Sequence, residues 1–303
     1  MKGTHSMKFK GLNKVRKDLG LLWQALKKFN EDNGFFLSSG IAFNILIGLI
    51  PFIMLLLALI GTYLYNNQEV LNHFLAYARD AAPTLDAKAM KTLTDVIQNR
   101  QIVGILGIVG LLWISTRVFS SLRIALNIVF GAEKRQAMLR GIVVDLLMVV
   151  LVGILLFVSM ILSPLVIFLQ GYQGRIPMAI GPTIQWTLKY LLPFFLTCCM
   201  FFLIYKIIPN KKVLFTSALQ AALFAGLLWE LAKHLFAWYV LHLARYSIFY
   251  GSLSTLVIFV LWVYYSSTIL VVGGELAYFL EEDRRPDKID SGHTNQICEG
   301  DYA

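Results

Sequence analysis

The sequence predicts an all-α, polytopic membrane protein: a six-transmembrane-helix bundle with an N-terminal amphipathic surface helix and an extracytoplasmic helical hairpin. Three observations carry that prediction. First, 57% of the 303 residues are hydrophobic and only 15% are charged, against about 25% charged in an average soluble domain. Second, the stretches 35–65, 146–174 and 246–274 contain no Lys, Arg, Asp or Glu. Each exceeds the roughly 20 apolar residues that carry a helix across a bilayer. Third, the net charge is +9, from 27 Lys+Arg against 18 Asp+Glu. So hydrophobic a chain is not disordered, and a nucleic-acid binder of this balance would carry many more charges. With 3 Cys there is no disulfide framework.

The elements follow in chain order. Residues 1–34 are a cytoplasmic segment in which Leu12, Val15, Leu19, Leu22, Trp23, Leu26 and Phe29 recur every three or four positions among basic residues. That pattern predicts an amphipathic helix on the membrane surface, serving mainly to anchor the first span. The first apolar run is too long for the core of a cleavable signal. Spans are expected at 35–65, 102–130, 141–170, 184–208, 213–243 and 253–280. Barrel strands would alternate in polarity over about ten residues, which these do not. Between the first two spans, 66–101 carries two apolar stripes separated by Pro83 and reads as a helical hairpin covering the bundle. Residues 281–303 are polar and read as a disordered cytoplasmic tail.

Orientation follows from the basic residues. With six spans both termini share one side, and 17 Lys/Arg fall on that side against six on the other. Such bias marks the cytoplasm. Arg117, Arg123, Lys189 and Lys233 lie within spans, and Lys206, at the inner end of the fourth, is counted with the cytoplasmic loop that follows.

Charges inside spans are costly and tend to face a bundle interior or a watery cavity. Counting 1.5 Å per residue, Asn44, Arg117, Arg123, Asn127, Asp145 and Glu275 fall in the cytoplasmic half and form one candidate polar cavity. Glu230, Lys233 and His234 share a helix face in the outer half. With Arg245, Tyr246 and Tyr250 they form a second. Lysines and arginines near span ends also snorkel without any further role, which suits Arg123 and Lys189. Helix packing is expected at Ala218, Ala222 and Gly226, whose small side chains recur every fourth position. It is also expected at Pro51, Gly251, Gly273 and Gly274.

Catalytic chemistry is poorly supported. No phosphate-binding or dinucleotide fingerprint is present. The five His stand apart from any Cys or carboxylate in metal-ligand spacing. No nucleophile has a paired base. We therefore expect no enzyme activity, no cofactor, no metal and no nucleic-acid partner.

Several motifs occur together in order: Ser39-Gly40-Ile41-Ala42-Phe43-Asn44 with Pro51; Trp113, Arg117 and Asn127; Pro209-Asn210; Tyr250-Gly251-Ser252-Leu253 with Trp262, Tyr264 and Ser266; and Gly273-Gly274-Glu275-Leu276. Over residues 10–282 this pattern resembles the YihY/BrkB family of bacterial inner-membrane proteins. The resemblance implies six spans in the bacterial cytoplasmic membrane and links to envelope resistance and, in some members, salt tolerance. The family has also carried a ribonuclease label, but the zinc cluster such chemistry requires is missing from this sequence.

The polar clusters favour a transporter or permeation protein. Its partners would be membrane lipids and an anionic amphiphile or an ion. A lipid or amphiphile with an anionic head group fits Arg117 and Arg123; an ion would use Glu230, His234 and Glu275. The rival class is a non-transporting envelope scaffold or a resistance- or virulence-associated factor. Substrate, energy coupling and oligomeric state are not encoded in any motif.

Overall fold

A computed structural model describes residues 20–65, 95, 98–132, 138–171, 191–243 and 252–284. Among them all regular structure is helical. Helix α1 covers 20–31. It is followed by α2 (Gly34–Tyr65), α3 (Arg100–Val129), α4 (Met138–Gly171), α5 (Leu192–Ile207), α6 (Phe215–Leu243) and α7 (Ser252–Glu282). Most of the predicted hairpin, residues 1–19, residues 184–190 with Lys189, and the tail after Arg284 lie outside the described residues. So do Arg245, Tyr246, Tyr250 and Gly251.

Among the described residues four segments are long and apolar enough to cross a bilayer: Gly34–Tyr63, Arg100–Val129, Phe215–Val240 and Leu256–Glu282. They coincide with the first, second, fifth and sixth expected spans. Shorter apolar helical stretches, Gly141–Leu155 and Leu192–Ile207, stand where the third and fourth were expected.

The chain divides into two compact units, 43–118 and the remainder, with the division falling inside α2 and α3. In the smaller unit α2 and α3 lie close because α3 offers glycines at every third position. A Cβ on Gly107 would stand 3.0 Å from the Leu55 backbone nitrogen, and one on Gly110 3.0 Å from Pro51 Cβ. Gly104 faces Ala58 in the same way. Small residues permit such backbone approach between spans. Pro51, expected at a packing position, is thus seated against Gly110. The outward residues Phe43, Ile50, Ile105 and Val109 are exposed, as lipid-facing side chains are.

In the larger unit the core gathers Leu122, Ala125, Leu126 and Val129 of α3 with Phe201, Ile204 and Tyr205 of α5, Val271 of α7 and Phe29 of α1. Helix α6 contributes Ala218, Ala221, Ala222 and Ala225, all fully buried. Ala218 and Ala222 belong to the small-residue face read from the sequence. Gly226 extends it: a Cβ there would stand 2.7 Å from Cys198 Sγ on α5. Gly273 leaves room for the Tyr205 ring, and a Cβ on Gly274 would stand 2.7 Å from Leu126 Cδ2. The Tyr205 hydroxyl donates to the Leu270 carbonyl at 2.9 Å, which ties the ring to α7.

Candidate functional site

Helix α1 is joined to α2 by a two-residue turn. Asn33 takes φ 55°, a left-handed conformation asparagine tolerates. The turn folds Phe29 back onto Gly34, where a Cβ would collide with its ring, and edge-on against Phe35 at 4.9 Å between centroids. Phe29 and Ala25 are thereby buried, while Trp23 and Leu26 stay exposed. Helix α1 thus packs Ala25 and Phe29 inward and turns a different apolar edge outward.

Lys28 sits on the inward side. Its ammonium pairs with Asp32, four residues on, donates to the Val129 carbonyl at 2.7 Å and reaches Glu275 Oε2 at 3.1 Å. It also lies 4.7 Å from the centroid of the Tyr278 ring. Val129 closes α3, whose last carbonyls lack helical partners. The bonds from Gly131 to Ile128 O and from Ala132 to Asn127 O, with Gly131 at φ 53°, satisfy two of them. Lys28 takes a third, and its positive charge suits the negative end of the helix dipole. Glu275 is fully buried, and among the described residues its Oε1 has no hydrogen-bond partner. Burial pulls the Lys28 ammonium toward neutrality, but the Asp32 and Glu275 carboxylates outweigh it and hold the pKa above the ordinary lysine value.

A second ion pair joins α3 to α4. Arg123 Nη2 stands 3.0 Å from Asp145 Oδ2, and the carboxylate side chain is 5% exposed. Gly141, one turn before Asp145, makes the space: a Cβ there would run into the guanidinium. Asn127 binds neither charge. Its Oδ1 accepts the Asn210 backbone N–H at 2.9 Å, which pins the Pro209-Asn210 loop to α3. Nearer the C-terminal end of α7, Glu281 accepts the Leu214 N–H at 2.8 Å just before α6.

The residues expected to form one cytoplasmic-side cavity are therefore engaged separately. Arg123 and Asp145 pair with one another, Glu275 pairs with Lys28, and Asn127 holds a loop. Asn44 and Arg117 belong to the smaller unit. There Asn44 is half-buried, whereas Arg117 is exposed with its guanidinium 5.7 Å from the centroid of the Trp113 ring. Lys28 and Asp32 were absent from the expected site, because Lys28 reads in the sequence as one more orientation charge. The i,i+4 pairing with Asp32, beside the apolar Phe29, was the available signal.

Of the group expected in the outer half, Glu230 and Lys233 pair at 2.7 Å, as their i,i+3 spacing allows. His234 is exposed on the same face. Next to it α6 and α7 part around an apolar cleft of about 610 Å³ lined by Ala232, Leu235, Phe236, Trp238, Tyr239, Leu261, Trp262, Tyr265, Thr268 and Ile269. Trp262 contacts Phe236 and Trp229 at 4.6 and 5.3 Å between centroids. Its volume lies within the ~300–1,000 Å³ of small-molecule sites, and its lining carries few polar groups. Among the described residues no group of three His, Cys, Asp or Glu could hold a metal.

Known proteins place the chain. The family model described as virulence factor BrkB matches residues 25–297. A UPF0761 membrane protein of Pseudoalteromonas atlantica is 26% identical over 253 residues, covering 83% of each chain. One from Haemophilus influenzae is 23% identical over 266 residues, 88% of this chain and 96% of the relative. One from Glaesserella parasuis is 29% identical over 201 residues, 66% and 70% of the two chains. No solved structure matches. With nearly its whole length matched, this chain belongs to the BrkB family of membrane proteins.

Proposed function

We propose that this protein is a transporter or permeation protein of the bacterial inner membrane that handles a lipid or another amphiphile. The observation that carries the reading is the α6–α7 cleft of about 610 Å³. It is apolar, aromatic and set on two helices apolar enough to span a bilayer. An acyl chain is the apolar group such a position meets. The ion-handling alternative is weaker, since Glu230 is engaged by Lys233 and Glu275 by Lys28. Arg123, first read as a receptor for an anionic head group, is neutralised by Asp145.

The same reading has six spans, both termini in the cytoplasm and no enzyme activity, cofactor or nucleic-acid partner. The positive bias of the N-terminal segment and the later cytoplasmic loops supports that orientation. The 34 residues of α4 rise about 51 Å, enough for a third span. The rival reading, a non-transporting envelope scaffold, draws on Trp23 and Phe36, which are 73% and 78% exposed.

The test is transbilayer movement of a fluorescent phospholipid in proteoliposomes. Ala232→Trp fills the cleft without touching the ion pairs. The proposal expects movement with the wild type and a fall of about tenfold or more in the variant, equivalent to roughly 1.4 kcal/mol of lost binding. Equal rates discard the cleft as the site. No movement with the wild type discards transport and leaves the scaffold.

A further inference from the structure

The Lys28 ammonium has three N–H donors and no acceptor. Each meets one acceptor: Asp32, the Val129 carbonyl at 2.7 Å and Glu275 Oε2 at 3.1 Å. The Tyr278 ring, 4.7 Å away, covers a further side, as aromatic faces do for desolvated cations. Two carboxylates, one helix-terminal carbonyl and one ring make a receptor for a primary ammonium ion. One acceptor remains over: Glu275 Oε1 is buried and has no hydrogen-bond partner among the described residues, and the three protons of Lys28 are already spent.

We propose that this cradle beneath α1 is a binding site for a primary ammonium group, and that Lys28 is its tethered occupant. A primary amine bearing a second hydrogen-bond donor satisfies the same three acceptors and also Glu275 Oε1, which Lys28 cannot. Such a ligand displaces Lys28 and frees the α1 contact. A quaternary ammonium has no N–H to give and is rejected. A metal cation is disfavoured by the aromatic side and the single carbonyl, since hard cations collect six or more oxygens. The ammonium group is supplied by a soluble amino alcohol, whose hydroxyl is the second donor, or by the head group of an ethanolamine phospholipid, which meets the same three acceptors but, its hydroxyl being esterified, brings no second donor to Glu275 Oε1. The inference holds whether or not the protein transports anything.

The experiment uses the full chain carrying Lys28→Ala, which vacates the cradle, in nanodiscs. Thermal unfolding is followed in phosphatidylcholine with added ethanolammonium or tetramethylammonium chloride, and separately in phosphatidylethanolamine with no added amine. At about a hundredfold excess over the dissociation constant, ethanolammonium should raise the variant's Tm by about 5 °C. Tetramethylammonium should leave it unchanged. A rise with the soluble amine alone assigns the ligand to solution, and a rise in phosphatidylethanolamine assigns it to the lipid. If Lys28→Ala fails to fold in phosphatidylcholine, recovery of folded protein by either source is the same positive result. The double variant Lys28→Ala, Glu275→Gln should lose the response. A single variant stabilised by neither source, an equal response to tetramethylammonium, or an undiminished response in the double variant overturns the proposal.

Discussion

Lys28 and Glu275, 247 positions apart in the chain, meet as a buried ion pair at 3.1 Å. The pair joins α1 to α7, and through the Val129 carbonyl it also closes α3. Three helices thus share one ammonium. A fully buried carboxylate left without its cation is strongly destabilising, typically by ~3–5 kcal/mol, whereas removing both partners together costs much less.

A double-mutant cycle follows. Lys28→Met keeps the aliphatic stem and removes the charge, so unfolding in mild detergent should lose roughly 3–5 kcal/mol of stability. Lys28→Met with Glu275→Met should recover most of that loss. Additive losses would mean that the two side chains do not act as a pair.

The second expectation concerns pH. The folded pKa of Lys28 lies above its ordinary value because Asp32 and Glu275 outweigh the opposing effect of burial. A raised pKa in a cationic group means that the folded state holds the proton more tightly. Its contribution is complete below the unfolded pKa, near 10.4, and is lost as pH rises through the folded value. The wild-type Tm should therefore fall more steeply than that of Lys28→Met above about pH 10.4. Parallel slopes throughout the alkaline range would contradict the pairing.

Arg123 and Asp145 allow a graded test. Arg123→Ala strands a nearly buried carboxylate and should cost roughly 3–5 kcal/mol. Gly141→Ala places a methyl against the guanidinium. The end of an arginine is flexible, so the side chain moves and the ion pair is weakened rather than lost. About 1–2 kcal/mol is expected, within the usual range for a crowded contact. Unfolding midpoints should rank wild type, Gly141→Ala, Arg123→Ala in falling order.

Much of the fold is legible in the sequence, and the reasons are local. Residues 35–65, 102–130, 213–243 and 253–280 read as spans and stand as α2, α3, α6 and α7 within two residues at each end. Long apolar runs leave a chain few alternatives in lipid. The Ala218-Ala222-Gly226 face is legible for the same reason, since helical spacing alone puts it on one side. Charge partners are not local. Glu275 stands out as a buried carboxylate, but nothing within its own helix names Lys28. Lys28 in turn looks like its neighbours Lys14, Lys17 and Lys27, which serve orientation. Grouping Arg123, Asp145 and Glu275 by expected depth is silent on rotation about the helix axis, which decides the pairing.

Tyr205 separates hydrogen bonding from shape. Tyr205→Phe removes the 2.9 Å bond to the Leu270 carbonyl and should cost about 1 kcal/mol. Gly273→Ala drives a methyl against the buried Tyr205 hydroxyl and the ring carbon that bears it and should cost more, ~1–3 kcal/mol. The reverse order would place the binding of α5 to α7 in the hydroxyl rather than in the close approach of the helices.

The proposed amphiphile site is tested most directly by photolabelling. The protein is reconstituted with a phospholipid carrying a diazirine in its acyl chain, irradiated and mapped by peptide mass spectrometry. The account predicts adducts concentrated on 232–239 and 261–269, around Trp262, and reduced by Ala232→Trp. Labelling spread evenly over the exposed apolar faces, such as Phe43, Ile50 and Ile105, and unchanged by Ala232→Trp, would contradict it.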